Sequence, residues 1–220
     1  MIKKLFMLFK IGRKLSTSGA ISSIYAIYNP PTIIKILFFI IGFNLLNKKE
    51  NNNLLPGEKL CGALQEMGTT FIKLGQFLST RPDIIGDTVA NSLERLQDKL
   101  PAFDLSTSKN ILREELGDEN FSKISNISEP IAAASIAQVH FAKIHDFKES
   151  KEVAIKILRP DIEKIFNEEL DALMLLAFII QSLVKKTQRL KLVEIVQLLR
   201  EITNFEMDLR FEAAAANEFY

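Results

Sequence analysis

Apolar residues in this 220-residue chain recur every three or four positions over most of its length, and every second position in one short stretch. Leu60, Leu64, Met67, Phe71, Leu74 and Leu78 form one helical stripe, and Leu93, Leu96 and Leu100 resume it beyond the Arg81-Pro82 break. A third helix spans Leu105 to Leu116 and stops at Gly117. From Asp161 the helical period returns. Ile165, Leu170, Leu173, Leu176, Ile180 and Leu183 make one stripe, and Leu192, Ile195, Leu199, Ile202, Phe205 and Leu209 another. Between these helices Val139 and Phe141, then Val153, Ile155 and Ile157, alternate in two runs rich in β-branched and aromatic residues, the period of strands with one buried face. The polar-leaning residues His145 to Ser150 close them as a hairpin.

In the second strand Lys156 is out of phase with Val153, Ile155 and Ile157, so it shares a face with Ala154 and Leu158. Burying an unpaired ammonium on so apolar a face costs on the order of several kcal/mol or discharges the group. Lys156 therefore calls for an anionic partner, the alternative being a side chain that reaches past the sheet edge to water. A strand–loop–strand carrying a lysine in "VAIK" ordinarily cradles nucleotide phosphates under a glycine-rich loop. Here the loop, Ala132, Ala133, Ala134 and Ser135, has no glycine, so it is either not a phosphate site or an altered one.

Composition changes the picture mainly at the N-terminus. A hydrophobic content of 47% with 25% charged residues is that of a globular chain with one or two domains. The single cysteine, Cys61, rules out an internal disulfide and reads as a small apolar residue in a reducing compartment. The net charge of +1 hides an asymmetry: Lys3, Lys4, Lys10, Arg13, Lys14, Lys35, Lys48 and Lys49 all precede the first acid, Glu50. "MIKKLFMLFKIGRKL" interleaves these cations with Leu5, Phe6, Leu8, Phe9, Ile11 and Leu15, a pattern suited to a helix lying on an anionic membrane surface. "TIIKILFFIIGFNLL" is more apolar but interrupted by Lys35 and shorter than the roughly 20 residues of a spanning helix, so it is read as an interfacial or buried helix. Two ordinary core helices with a basic solvated face are the alternative. "NKKENNNLLPGEK", broken by Pro56 and Gly57, marks a linker and domain boundary.

Two further clusters carry candidate chemistry. In "FIKLGQFLSTRPD" Lys73 and Gln76 project from one side of a helix beside an apolar stripe, and Gly75 within it points to close approach by another backbone or a ligand. In "NFEMDLRFEAAAANEF" Asp208 and Glu212 share a helix face, whereas Glu206 and Asp208 lie about 200° apart on a regular helix. Glu212 is then a reasonable partner for Lys156, with a solvated acidic face as the alternative. His140 and His145 lack metal-ligand spacing and are assigned no chemistry; no metal site is expected from this chain's own residues.

The order K-x-G-Q, alanine loop "AAAS", "VAIK", E-x-D resembles that of the UbiB/ADCK family of atypical kinase-like proteins, associated with ubiquinone biosynthesis, over roughly residues 60 to 220. The resemblance implies an α+β protein-kinase-like N-lobe, a small antiparallel sheet plus helices, with an N-terminal helical extension and without a C-lobe. Residues 1–50 are then a basic apolar membrane-facing segment, 51–128 the helical extension, and 129–220 the N-lobe. It implies that Lys156 contacts phosphate and pairs with Glu212, that Ala132, Ala133, Ala134 and Ser135 cover ATP or ADP, and that Lys73, Gln76, Glu206 and Asp208 are regulatory. The extension would lie across the place where a protein substrate binds. Alanine resists the positive φ that glycine supplies, so the loop would hold a nucleotide in an altered pose.

The chain contains no H-R-D-like segment and no D-F-G, the usual sources of the catalytic acid and the Mg²⁺ ligands. Enzymatic activity of this chain alone is thus left open: the family is kinase- or ATPase-like, and Mg²⁺ is expected of a full-length member. The chain reads as part of a longer protein that supports quinone synthesis, the alternative being a non-catalytic membrane-surface module or an inactive truncated lobe. Expected partners are an anionic membrane surface, quinone-biosynthesis proteins or lipid precursors, and a separately encoded C-lobe, with no nucleic acid. The expected location is the cytoplasmic face of a bacterial inner membrane or an organellar inner membrane.

Overall fold

The computed structural model describes residues 2–42, 54–96, 100–145 and 150–218; of the expected linker at 47–59, residues 47–53 lie outside them. The helices and strands belong to two compact units, each discontinuous in sequence: Met1–Gln97 with Glu163–Glu206, and Asp98–Ile162 with Met207–Tyr220.

The first unit is helical. It comprises α1 (Ile2–Thr17), α2 (Ala20–Tyr28), α3 (Thr32–Gly42), α4 (Pro56–Met67), α5 (Thr69–Ser79), α6 (Pro82–Ile85) and α7 (Asp87–Leu93). The single stripe read over 60–78 is two helices, because Gly68 takes φ of 100°, a value that L side chains rarely adopt, and turns the chain between α4 and α5. Pro56 does not break a linker but opens α4 at its first position, where a missing N–H costs nothing, and Glu58 Oε2 accepts the Leu55 N–H at 3.1 Å. The N-terminal helices are part of this unit's core. Leu8, Ile11 and Leu15 of α1 and Ile34, Phe38 and Ile41 of α3 are buried. Lys14 donates to the carbonyl of Met67 at the C-terminal end of α4, where a cation complements the helix dipole.

The first unit is completed by α9 (Ile162–Leu183), a 3-10 helix (Lys185–Leu190) and α10 (Leu192–Met207). The stripe expected on α10 is offset: Val196, Leu199, Thr203 and Met207 are buried, whereas Ile202 and Phe205 are exposed. Asp171 on α9 receives Arg200 Nη2 at 2.8 Å and Lys4 Nζ at 2.9 Å. These hydrogen bonds, Arg200's first, hold its carboxyl below the usual carboxylate range and tie α1, α9 and α10 together.

The second unit consists of α8 (Leu105–Phe121), β1 (Ile124–Ser125), β2 (Ala132–Ala133), β3 (Ala137–His145), β4 (Ser150–Leu158) and α11 (Leu209–Glu218). Asp104 caps α8 by accepting the Thr107 N–H at 2.7 Å. Hydrogen bonds from Ser106 and then Thr107 draw the pKa of its carboxyl down to about 2. Gly117, at φ 75° and ψ 160°, interrupts the helix where the sequence places its end. All strand pairs are antiparallel. β4 runs alongside the whole of β3, so β1 and β2 share the other edge of that central strand. This small sheet with helices is the protein-kinase-like N-lobe architecture, joined in one chain to a helical extension.

Helices α1 and α3 cross closely enough to require glycine. A Cβ at Gly12 would lie 2.6 Å from the carbonyl oxygen of Ile41, a backbone atom that cannot swing aside. Gly12→Ala should therefore destabilise the protein by about 1–3 kcal/mol, the usual cost of overpacking. Gly62→Ala on the exposed side of α4, where a Cβ meets nothing within 4 Å, should be neutral or stabilise by up to about 1 kcal/mol through helix propensity. Urea denaturation midpoints of the two variants provide the comparison.

Candidate nucleotide face and ion pairs

The register of β3 against β4 defines the face that carries the lysine. Val139 stands opposite Lys156, Phe141 opposite Ala154, and Ala132 of β2 opposite Val139. These five residues lie on one face of the sheet, since paired residues point the same way. The strand expected to bury Val139 and Phe141 is thus inverted. Phe141 is 56% exposed on the lysine face, and β3 instead buries Gln138, His140 and Ala142. Phe141 and Ala154 also border a shallow cleft of about 340 Å³ with Asn126, Lys143 and Glu152.

Lys156 Nζ meets Glu212 Oε2 of α11 in a close ion pair, formed across 56 residues of sequence. The two side chains are 34% and 61% exposed. At that exposure an ion pair contributes at most about 1 kcal/mol to stability, so its main physical effect is to fix where the ammonium stands.

The alanine loop does not lie wholly on the surface. Ala132 is exposed and pairs with Val139, Ala133 pairs with Gln138, Ala134 is half-buried, and Ser135 is completely buried with its hydroxyl inside the protein. None of the four adopts positive φ, as alanine and serine require. The turn is closed by the Ala134 N–H donating to Ala137 O at 2.8 Å.

Glu206 and Asp208 are not on one helix. α10 ends at Met207 and α11 begins at Leu209, so Asp208 occupies the break and the angular relation expected on a regular helix does not apply. In the first unit Lys73 Nζ lies 2.8 Å from Glu206 Oε2, with the side chains only 14% and 35% exposed. Gln76 is half-buried one turn along, its carbonyl accepting from Ser79. Gly75 is explained by packing, since a Cβ there would fall 2.2 Å from Leu96 Cδ1 and 3.0 Å from Leu64 Cδ1, with no ligand needed. In the second unit Asp208 accepts from Arg210 Nε at 2.7 Å and Nη2 at 2.6 Å, and hydrogen bonding to this side chain is the main cause that lowers its pKa.

Behind the lysine face is a polar cluster that carries no metal-ligand or motif signature. Gln138 Oε1 accepts the Phe103 N–H at 2.9 Å and its Nε2 donates to Phe103 O at 3.1 Å and Ser108 Oγ at 2.9 Å. Ser108 Oγ is 3.0 Å from His140 Nε2, and His140 Nδ1 is 2.7 Å from the Ser128 carbonyl. A carbonyl only accepts, so Nδ1 carries the proton and Nε2 is the acceptor. A strand that places Gln138 and His140 two residues apart, in phase with Ala142, is the signal that could have exposed this cluster. Cys61 is buried, and burial pushes its thiol pKa up, away from reactivity. Among the described residues no group of three or more His, Cys, Asp or Glu side chains forms a metal-ligand set, and no helix is long and apolar enough to cross a membrane.

Residues 95–220 match the ABC1 atypical kinase-like domain. Curated relatives carrying the name "Probable protein kinase UbiB" agree with this: the Marinobacter nauticus protein is 36% identical over 191 residues, covering 86% of this chain and 34% of that protein. The Vibrio parahaemolyticus protein is 34% identical over 217 residues, 98% of this chain and 38% of that protein, and the Glaesserella parasuis protein is 40% identical over 163 residues, 73% and 30% respectively. The chain belongs to the ABC1 family of atypical kinase-like proteins and spans about a third of the length of these relatives. No solved structure matches it significantly.

The Lys73–Glu206 pair is shielded enough for its loss to register in stability. A double-mutant cycle with Lys73→Met and Glu206→Gln should give a coupling of about 0.5–3 kcal/mol. Either single substitution should cost more than the pair together, because it leaves a shielded charge without its counter-charge. Additive denaturation free energies would show that the two groups do not interact in solution.

Proposed function

We propose that this chain carries the nucleotide-binding lobe of a UbiB-type atypical kinase or ATPase that supports isoprenoid quinone synthesis at an anionic membrane surface. The observation that carries the reading is the Lys156–Glu212 pair, which holds an ammonium over an apolar strip of Val139, Phe141 and Ala154. An ammonium and an exposed aromatic side chain on one sheet face suit a ligand with phosphates at one end and a flat base at the other. Ala132, Ala133 and Ala134 supply backbone beside that strip, and Ser135 contributes only through its backbone. The bound ligand is ATP or ADP. Mg²⁺ would neutralise charge on the phosphates during transfer, and in this reading the part of this chain's own residues is to bind and orient the phosphates. Lys73, Gln76, Glu206 and Asp208 serve regulation in this reading.

A fluorescent ATP analogue should bind the chain in a Lys156-dependent way, with Lys156→Ala weakening affinity by about tenfold or more, the worth of a charge-assisted phosphate contact. Phosphate release by the chain alone should stay at background in Mg²⁺, since neither an H-R-D nor a D-F-G segment is present. Equal binding by the two forms would refute the nucleotide reading.

The membrane part rests on a second observation. Helices α1 and α3 show two apolar sides, one in the core and one outward, where Leu5, Phe6, Ile36, Phe39 and Ile40 are exposed, Phe6 by 73%. Lys3, Lys10 and Arg13 lie exposed on α1, while Lys4 and Lys14 are engaged within the unit. Each cation near an anionic surface contributes on the order of 1 kcal/mol, less in high salt. Because α1 to α3 belong to a folded core, the test uses point substitutions in place of deletion. Phe6→Asp with Phe39→Asp should abolish flotation with anionic vesicles while leaving thermal unfolding unchanged, and undiminished flotation would refute membrane docking by this face. Vesicle binding without any Lys156-dependent nucleotide binding would favour the non-catalytic surface module.

A further inference from the structure

Arg159 follows the lysine strand and has no part in any motif, yet it touches the alanine turn more extensively than any other side chain named above. Its Nε and Nη2 both donate to the carbonyl oxygen of Ala134, at 3.0 and 2.8 Å, and its own N–H donates to Ile136 O at 2.9 Å. The guanidinium lies 5.9 Å from the centre of the Phe103 ring. Phe103 in turn is gripped by its backbone, its N–H and carbonyl both bonded to the buried amide of Gln138. The result is a closed chain of contacts: the amide of Gln138 fixes Phe103, Phe103 seats Arg159, and Arg159 holds the Ala134 carbonyl.

We propose that Arg159, seated on Phe103, is the positioning residue that sets the orientation of the Ala134–Ser135 peptide in the nucleotide turn. The proposal rests on the nucleotide reading for its functional consequence. A planar trans peptide points its C=O and N–H in opposite directions, so a carbonyl drawn onto Arg159 directs the Ser135 N–H the other way. Orientation matters here because a carbonyl oxygen facing a phosphate repels it, whereas an N–H attracts it. In a glycine-rich loop that peptide could flip with little steric penalty. Here a flip would carry φ of Ser135 toward the positive values that serine disfavours, and the guanidinium reinforces the unflipped orientation by holding the Ala134 carbonyl. The fork geometry is needed: a lysine would reach the same oxygen with only one donor.

The test uses Arg159→Gln, Arg159→Lys and Phe103→Leu in the 220-residue chain. Amide hydrogen exchange at Ala134, whose N–H closes the turn, should accelerate by about tenfold or more in Arg159→Gln, as expected for losing hydrogen bonds from a charged donor. Arg159→Lys and Phe103→Leu should fall in between, and the amides of the β3–β4 ladder should keep their protection in all three. The fluorescent ATP analogue should lose affinity in the same order. Unchanged exchange at Ala134 in Arg159→Gln overturns the proposal. If that variant loses ladder protection as well, the two milder ones decide, and unchanged Ala134 exchange in both is equally fatal. Failure of the wild-type chain to bind the analogue would sink the nucleotide reading alone, because the exchange comparison still decides what Arg159 does to the turn.

Discussion

A small sheet that buries an amide and an imidazole on its back face folds only if every donor and acceptor there finds a partner. Gln138 and His140 are completely shielded, and each left unsatisfied would cost on the order of 1–3 kcal/mol. The partners come from outside the sheet: the backbone of Phe103, the hydroxyl of Ser108 at the start of α8, and the carbonyl of Ser128. This requirement places α8 against β3 and fixes the residues just before it, and it also decides which way β3 faces. With Gln138 and His140 committed inward, Val139 and Phe141 must point to the side of Lys156. The character of the candidate nucleotide face is thus set by what its reverse side needs.

Much of the architecture was legible in the sequence because it rests on period alone. Most of the helices, the hairpin and the phase of Lys156 relative to Ala154 and Leu158 follow from spacing, and the structure contains them. Leu96 and Leu100, however, lie outside any helix, and Ile165 and Leu183 at the ends of the α9 stripe are exposed. The misreadings have physical causes. Val139 and Phe141 read as the buried set because apolar residues usually are, and alternation cannot say which face is inside when the other carries Gln138 and His140. The stripe on α4 and α5 read as one helix because a turn at Gly68 keeps the apolar spacing nearly in step. The acids Glu206 and Asp208 read as lying on one helix, since nothing in "EMDLR" announces a break at Asp208. The tie between Arg159 and Ala134 links residues 25 apart, and no local pattern reveals such a contact.

The charged contacts divide by exposure. Lys73 with Glu206 is shielded, so its loss should be felt by the helical unit that contains it. Lys156 with Glu212 is open to water, so that pair fixes where the ammonium stands more than it stabilises the fold. Membership of the ABC1 family agrees with a kinase-like lobe built this way, in which Arg159 donates two hydrogen bonds to the carbonyl of Ala134.

The discontinuity of the two units bears on how the chain can be made. β4 with Lys156 emerges from the ribosome well before Glu212, and in between the polypeptide leaves the sheet unit to complete the helical one with α9 and α10. Early in synthesis the sheet unit therefore lacks α11 and the helical unit lacks two of its longer helices, so the helical unit is completed only after the strands have been made and the sheet unit last of all. No single cut in the gene would release either unit intact. A duplication, fusion or transfer that moved one of them would have to carry both, which favours inheritance of the extension and the lobe as one piece.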